Sequence, residues 1–248
     1  MTALRVWSRL LGLVALTIAC VPLHLITRMV AGRSQWPRRF LWAAGRLCGM
    51  EVRLSGALLR HDVFYVANHV SWIDIFVLGG ASGCAFVSKD DVGRWPLIGW
   101  LAAQNNTIMV SRGDRAGIRN QIGVVRAAMA EHQPIALFPE GTTGSGDGLL
   151  PFKPSLFAVL LPPPRAIRVQ PIFIDYGTAR TRMGWSGAES AFANASRILG
   201  RKGRTVVTLH CLEPFDPGAH PDRKRLAAET RARIEAAMLS LREAAPAV

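Results

Sequence analysis

Cysteine is scarce and widely spaced in this chain. Cys20, Cys48, Cys84 and Cys211 are its four cysteines, and no two of them stand in a Cys-x-x-Cys pair. That excludes the usual zinc-site spacings and a disulfide framework, and it fits a reducing compartment, with no metal ligand set expected. Tyrosine is scarcer still, with two residues, and no ribonucleoprotein, zinc-finger or helix-hairpin signature is present, so nucleic acid is not an expected partner. Acidic residues are also few: 17 Asp and Glu against 30 Lys and Arg leave a formal charge of +13. Such a surplus calls for an anionic partner, a lipid surface or a phosphorylated substrate. Half of the residues are apolar, which favours the membrane surface. Neither an internal repeat nor a low-complexity tract stands out, and 248 residues suffice for one domain with a short appendage.

The appendage is the N-terminus. Residues 10–27 carry no Lys, Arg, Asp or Glu and are bracketed by Arg9 and Arg28. This is barely the length of a membrane span, and Pro22 and His24 weaken it. A cleaved signal peptide fits less well, because Thr17-Ile18-Ala19 precedes Cys20 and the segment stays apolar beyond it. Arg28, Arg33, Arg38, Arg39 and Arg46 then alternate with Trp36, Phe40, Leu41, Trp42 and Leu47, a pattern suited to a helix lying among anionic headgroups. Residues 1–48 are therefore expected to anchor residues 49–248 to the inner face of the cytoplasmic membrane. The segment either lies on the leaflet or spans it once, with the bulk of the chain cytoplasmic.

Past residue 50, short apolar runs alternate with helical patterns. Strands are expected at 52–54, 63–67, 85–88, 107–110, 135–138, 169–174 and 206–209. Helices are expected over 114–132, with Ile118, Ile122, Val125 and Met129 on one stripe, and over 222–244, with Leu226, Ile234, Met238 and Leu241 inward. The alternation specifies an α/β fold: one α/β layer domain with a central, mainly parallel sheet behind the N-terminal membrane-associated helical segment.

Three segments carry polar residues just beyond a strand. The first reads Asn68-His69-Val70-Ser71-Trp72-Ile73-Asp74. A carboxylate that orients an imidazole makes a general base able to take a proton from a hydroxyl near neutral pH. The same spacing has a structural reading, since Ser71 and Asp74 stand in the Ser-x-x-Asp relation of a helix capping box. Five positions are about 140° around a helix, so His69 and Asp74 meet only if His69 sits in the turn before the helix. The second segment, Phe138-Pro139-Glu140-Gly141-Thr142-Thr143-Gly144, is either a mobile glycine loop or a cradle of backbone N–H groups for a phosphate or an oxyanion. The third places Arg112 after residues 107–110, as a phosphate ligand or a solvated charge.

Taken together, Asn68-His69-x4-Asp74, Arg112, Phe138-Pro139-Glu140-Gly141-Thr142 and Val169-Gln170-Pro171-Ile172 resemble, in order and spacing, the glycerolipid acyltransferase family that includes the 1-acylglycerol-3-phosphate acyltransferases. The resemblance covers residues 49–174. Phe86-Val87-Ser88-Lys89 followed by Trp95-Pro96-Leu97-Ile98-Gly99-Trp100 is similar to the family's segment between its first two motifs. It implies transfer of a fatty acyl group from acyl carrier protein or coenzyme A to a lysolipid hydroxyl, without a further cofactor. His69 is then the general base, Asp74 orients it, and Glu140 organises the loop or the acceptor. Asn68, Lys89, Arg112, Gly141, Thr142 and Thr143 are expected about the substrate, with N–H groups near Gly141 and Thr142 proposed for the oxyanion.

One position departs from the family. Arg commonly follows Glu-Gly-Thr there, whereas this chain has Thr143, which cannot replace a planar bidentate phosphate clamp. The Glu-Gly-Thr-Thr form is similar to bacterial members that acylate other lysolipids, including lyso-ornithine lipid. With Arg112 and Lys89 still present, 1-acylglycerol 3-phosphate leads as acceptor and lyso-ornithine lipid follows. Two rival readings differ in class. A serine hydrolase would rest on Gly184-Trp185-Ser186-Gly187-Ala188, which lacks the last glycine of Gly-x-Ser-x-Gly. A non-enzymatic membrane-surface protein accounts for the charge but not for the polar motifs.

Overall fold

A computed structural model of the chain describes residues 2–110, 123, 125, 127, 133–187 and 189–244. Seven strands form one sheet: β1 (Met50–Ser55), β2 (Val63–Ala67), β3 (Ala85–Lys89), β4 (Ile108–Val110), β5 (Ile135–Leu137), β6 (Arg168–Asp175) and β7 (Thr205–Cys211). Their order is β1-β7-β6-β2-β5-β3-β4, and every described pairing is parallel except that of β6 with β7. Each strand lies where an apolar run predicts it, with ends shifted by a residue or two.

Strand β2 is the centre, and all five of its residues are buried, as a strand covered on both faces requires. Its alternation serves two cores at once. Phe64 and Val66 join Val169, Phe157, Leu226 and Ile234 on one face. Val63, Tyr65 and Ala67 join Ile73, Val77, Leu78 and Ile172 on the other.

The described α-helices of two turns or more are α1 (Thr2–Ala31), α2 (Trp36–Leu47), α3 (Ile73–Ser82), α4 (Pro96–Gln104), α5 (Ala191–Leu199) and α6 (Arg223–Glu243). Helix α3 crosses α2 so closely that a Cβ on Gly80 would stand 2.7 Å from the backbone of Trp42; only glycine permits this approach. Asp222 caps α6 by accepting from Lys224 N–H at 2.7 Å and Arg225 N–H at 2.9 Å. Leu226, Ile234 and Met238 face inward as expected, but Leu241 is exposed, because the last turn of α6 runs past the buried cluster. Of the helix expected over 114–132, only positions 123, 125 and 127 are among the described residues, and Val125 is buried.

Helix α1 continues through Pro22 as a single 30-residue helix. Val6, Leu10 and Leu13 pack on the core that holds α3. Arg5 Nε donates to Gly200 O at 2.9 Å, Arg9 donates to Leu199 O at 2.8 Å, and near the other end His24 Nε2 meets Gln104 Oε1 at 3.2 Å. The opposite face is an exposed apolar stripe of Leu4, Trp7, Leu11, Val14, Ile18, Leu25 and Met29. By length and composition α1 is sufficient to cross a membrane. In α2, Arg39 lies over the Trp36 ring at 4.9 Å and Arg46 over Trp42 at 5.1 Å.

Candidate active site

The polar motifs gather at the carboxyl ends of the parallel strands, where ligand sites of open α/β sheets form. Residues 68–72 turn the chain from β2 into α3, so His69 stands outside the helix and Asp74 in its first turn. His69 Nδ1 and Asp74 Oδ2 are 2.9 Å apart. The same Oδ2 accepts from Val70 N–H at 2.7 Å and Ser71 N–H at 2.9 Å. The geometry accommodates both readings of the motif. The bond from Ser71 N–H is the carboxylate half of a capping box, while the Ser71 hydroxyl reaches Ile73 N at 3.4 Å.

Asp74 has no exposed surface, and its other oxygen, Oδ1, accepts from the buried Tyr176 hydroxyl. Burial, reinforced by the Asp74 charge, holds the Tyr176 phenol well above its ordinary range, so it serves as a donor. Four donors around one carboxyl group match the accepting capacity of a carboxylate. Nδ1 of His69 must then carry a hydrogen, and in the neutral imidazole the lone pair stands on Nε2. The ring stacks on Phe138 at 4.2 Å and 14°, and the His69 side chain keeps 17% exposure.

Glu140 fixes the backbone around His69. Its Oε1 accepts from His69 N–H at 2.9 Å and its Oε2 from Leu150 N–H at 3.0 Å. Gly144 N–H donates to His69 O at 2.8 Å, so the glycine loop holds His69 from both sides. Gly141 has φ +74°, a left-handed turn that favours glycine, and its N–H donates to Phe138 O at 3.1 Å. That bond engages Gly141 N–H, while Thr142 is exposed.

Two other expected substrate contacts are committed elsewhere. The Asn68 amide donates to Ile174 O at 3.1 Å and accepts from Ile174 N–H at 2.7 Å, stitching the turn to β6 rather than facing an acceptor. The Thr143 hydroxyl donates to Trp185 O at 2.7 Å. Lys89 ends β3 in register with Val110, and Arg112 lies outside the described residues. Ser186 follows the one-turn helix Arg180–Met183, not the strand that a nucleophile elbow requires. Sequence reasoning missed Tyr176 and the stacking Phe138; the signal for Tyr176 was its place just past a strand end.

Burial raises the Glu140 carboxyl from 4.5 to about 6, against the lowering effect of its two backbone donors and His69. Ionising it therefore costs about 2 kcal/mol more in the folded protein than in the unfolded chain. Between pH 4.5 and 6 the folded state binds more protons, so the contribution of this group to stability falls as pH rises through that window. The penalty is absent below it and complete above it. Glu140→Gln should flatten this slope: melting temperatures at pH 5 and pH 7 would converge relative to the parent, and an unchanged slope would refute the assignment.

An acyltransferase family model matches residues 49–175. The chain belongs to the acyltransferase family. It is 33% identical over 244 residues to a lyso-ornithine lipid O-acyltransferase of Pseudomonas aeruginosa, covering 93% of this chain and 91% of that one. A Rhodobacter capsulatus protein of the same name is 31% identical, covering 92% and 88%. A 1-acyl-sn-glycerol-3-phosphate acyltransferase of Neisseria gonorrhoeae is 35% identical over 109 residues, covering 44% and 43%. The crystal structure of the 1-acyl-sn-glycerophosphate acyltransferase PlsC from Thermotoga maritima superposes with a TM-score of 0.69 at 20% identity over 98% of both chains, a likeness of fold. The acyltransferase is thus an O-acyltransferase by family, and its sheet with an N-terminal apolar helix is a PlsC-like architecture.

Proposed function

We propose that this acyltransferase moves a fatty acyl group from a thioester donor, acyl carrier protein or coenzyme A, to the hydroxyl of a lysolipid, with lyso-ornithine lipid as the acceptor. The supporting observation is the extent of the likeness: lyso-ornithine relatives match more than nine-tenths of the chain, and the Neisseria phosphate-acceptor relative less than half. Thr143 agrees with this reading. Its hydroxyl is spent on Trp185 O, so position 143 offers no phosphate clamp. The second reading, 1-acylglycerol 3-phosphate to phosphatidic acid, is supported by the identity of that relative across the motif region and by Lys89 and Arg112.

In the reaction, His69 Nε2 takes the proton of the acceptor hydroxyl as its oxygen attacks the thioester carbonyl. Asp74 stabilises the imidazolium that forms. The C–S bond then breaks, and the departing thiolate receives that proton from His69. Direct transfer suffices because a thioester is already activated, and Ser71, the serine nearest to His69 in the sequence, is fully buried.

The acceptor and the base both lie at a membrane surface in this reading. Arg5 and His24, each tied to the domain, are 19 residues apart, about 28 Å along a helix, close to the thickness of the hydrocarbon layer. A spanning α1 would drag the domain surface with it. The apolar stripe of α1, with exposed Trp95, Leu97 and Trp100 of the α4 region, instead fits a helix half-sunk in one leaflet while the α2 arginines meet anionic headgroups. Protease added to sealed vesicles on the domain side should then reach both ends of α1; protection of one end would mean that α1 spans.

The acceptor test is a panel of lyso-ornithine lipid, 1-acylglycerol 3-phosphate and lysophosphatidylcholine, each offered with a labelled acyl thioester. Transfer to lyso-ornithine lipid should be preferred by about ten-fold or more, since each 1.4 kcal/mol of differential binding gives that ratio. Preference for 1-acylglycerol 3-phosphate would reject the leading reading. Thr143→Arg should shift the ratio towards the phosphate-bearing acceptor.

A further inference from the structure

The Asp74 carboxylate is held from two sides by parts of the chain about a hundred residues apart. Three donors of the 69–71 turn share Oδ2, and Tyr176 alone, among the described residues, donates to Oδ1. Tyr176 stands one residue past β6, the neighbour of β2. The Asn68–Ile174 bonds clamp these two strand ends together. Tyr176 is 2% exposed and packs in the core with Met183, Ala179 and Leu199.

We infer that Tyr176 is a positioning residue of the acyl transfer: its hydroxyl fixes the Asp74 carboxylate so that Oδ2 stays on His69 Nδ1–H and Nε2 stays unprotonated to meet the acceptor. The carboxylate can rotate about its bond to Cβ. That rotation moves both oxygens together, so a hydroxyl anchored in the core at Oδ1 adds to the three donors at Oδ2 in holding one orientation. The donation also draws charge from Asp74, which keeps the proton on Nδ1. Tyr176 touches no reacting atom and acts through Asp74 and His69. The inference rests on His69 being the base.

Tyr176→Phe keeps the ring and the packing and removes only the O–H. With lyso-ornithine lipid, and in parallel 1-acylglycerol 3-phosphate, in mixed vesicles, kcat should fall about ten-fold with KM for donor and acceptor unchanged. Tyr176→Phe should cause no further loss in a His69→Ala background. In 15N-histidine spectra, with the His69 signal assigned by its loss in His69→Ala, the parent should show one tautomer bearing Nδ1–H and the Phe variant a mixture. Unchanged kcat with a single unchanged tautomer would mean that Tyr176 is core packing only and would overturn the inference. Full activity of His69→Ala would instead overturn the base itself, a separate outcome.

Should the Phe variant fail to fold, the parent still decides. Tyr65 and Tyr176 are the two tyrosines of the chain, so 13Cζ-tyrosine labelling gives two signals. Tyr65, whose hydroxyl donates to Leu59 O, serves as the control. At one pH the Tyr176 signal should differ between the parent and His69→Ala while the Tyr65 signal stays in place. A Tyr176 signal identical in the two proteins rules the coupling out.

Discussion

Replacing His69 by alanine should lower acyl transfer by about two to four orders of magnitude, the range that a positioned general base supplies. An unionised alcohol attacks a thioester slowly, and the described geometry offers one group in the turn with a free basic nitrogen. Nδ1 is bound to Asp74 at 2.9 Å, so the nitrogen left for an acceptor is Nε2. Little else should change. The His69 side chain is partly exposed and its backbone bonds to Glu140 and Gly144 do not involve the ring. Loss of the stack on Phe138 should cost about 1 kcal/mol of stability. Attachment is proposed to run through α1, so the variant and the parent should float alike with anionic vesicles. Labelled acyl transfer measured beside flotation separates the two: full transfer by His69→Ala excludes His69 as the base, whereas lost flotation points to a folding defect. Ser186→Ala should retain parental rates.

The strands were legible because each is an apolar run between turn residues, and β2, covered on both faces, is continuous over residues 63–67. The His69–Asp74 pair was legible as a spacing but ambiguous as a contact. Only a turn at residues 68–72 brings positions five apart together, and that turn puts the imidazole and the cap on the same carboxylate. Strand order was not legible, since apolar runs carry no information about their neighbours. It is the adjacency of β2 and β6 that gives Asn68 its partner Ile174 and Asp74 its donor Tyr176. A polar residue after a strand reads equally as a substrate ligand or a structural stitch, and for Asn68 the stitch prevailed. Thr143 followed the same logic: its sequence position marked a missing guanidinium, but its bond to Trp185 O depends on a segment forty residues away.

Asp74→Asn should reduce kcat by about three to four orders of magnitude and leave KM nearly unchanged, by analogy with the loss when the carboxylate of a serine-protease triad becomes an amide. The amide is close in size but has one acceptor oxygen and no charge. If that oxygen keeps the place of Oδ2, the NH2 group faces Tyr176, whose hydroxyl must turn from donor to acceptor. If the amide flips, its hydrogens confront His69 Nδ1–H and the N–H groups of Val70 and Ser71, which drives the imidazole towards the tautomer with its proton on Nε2. In neither arrangement is a charge left to stabilise the imidazolium. Charge-assisted bonds become neutral ones, so the variant should also lose about 2 kcal/mol of stability. The two losses separate the roles of this residue. A carboxylate that merely capped α3 would give the fall in melting temperature with a rate within ten-fold of the parent. A carboxylate that serves the base gives both, and initial rates measured well below the melting temperature of the variant decide between them.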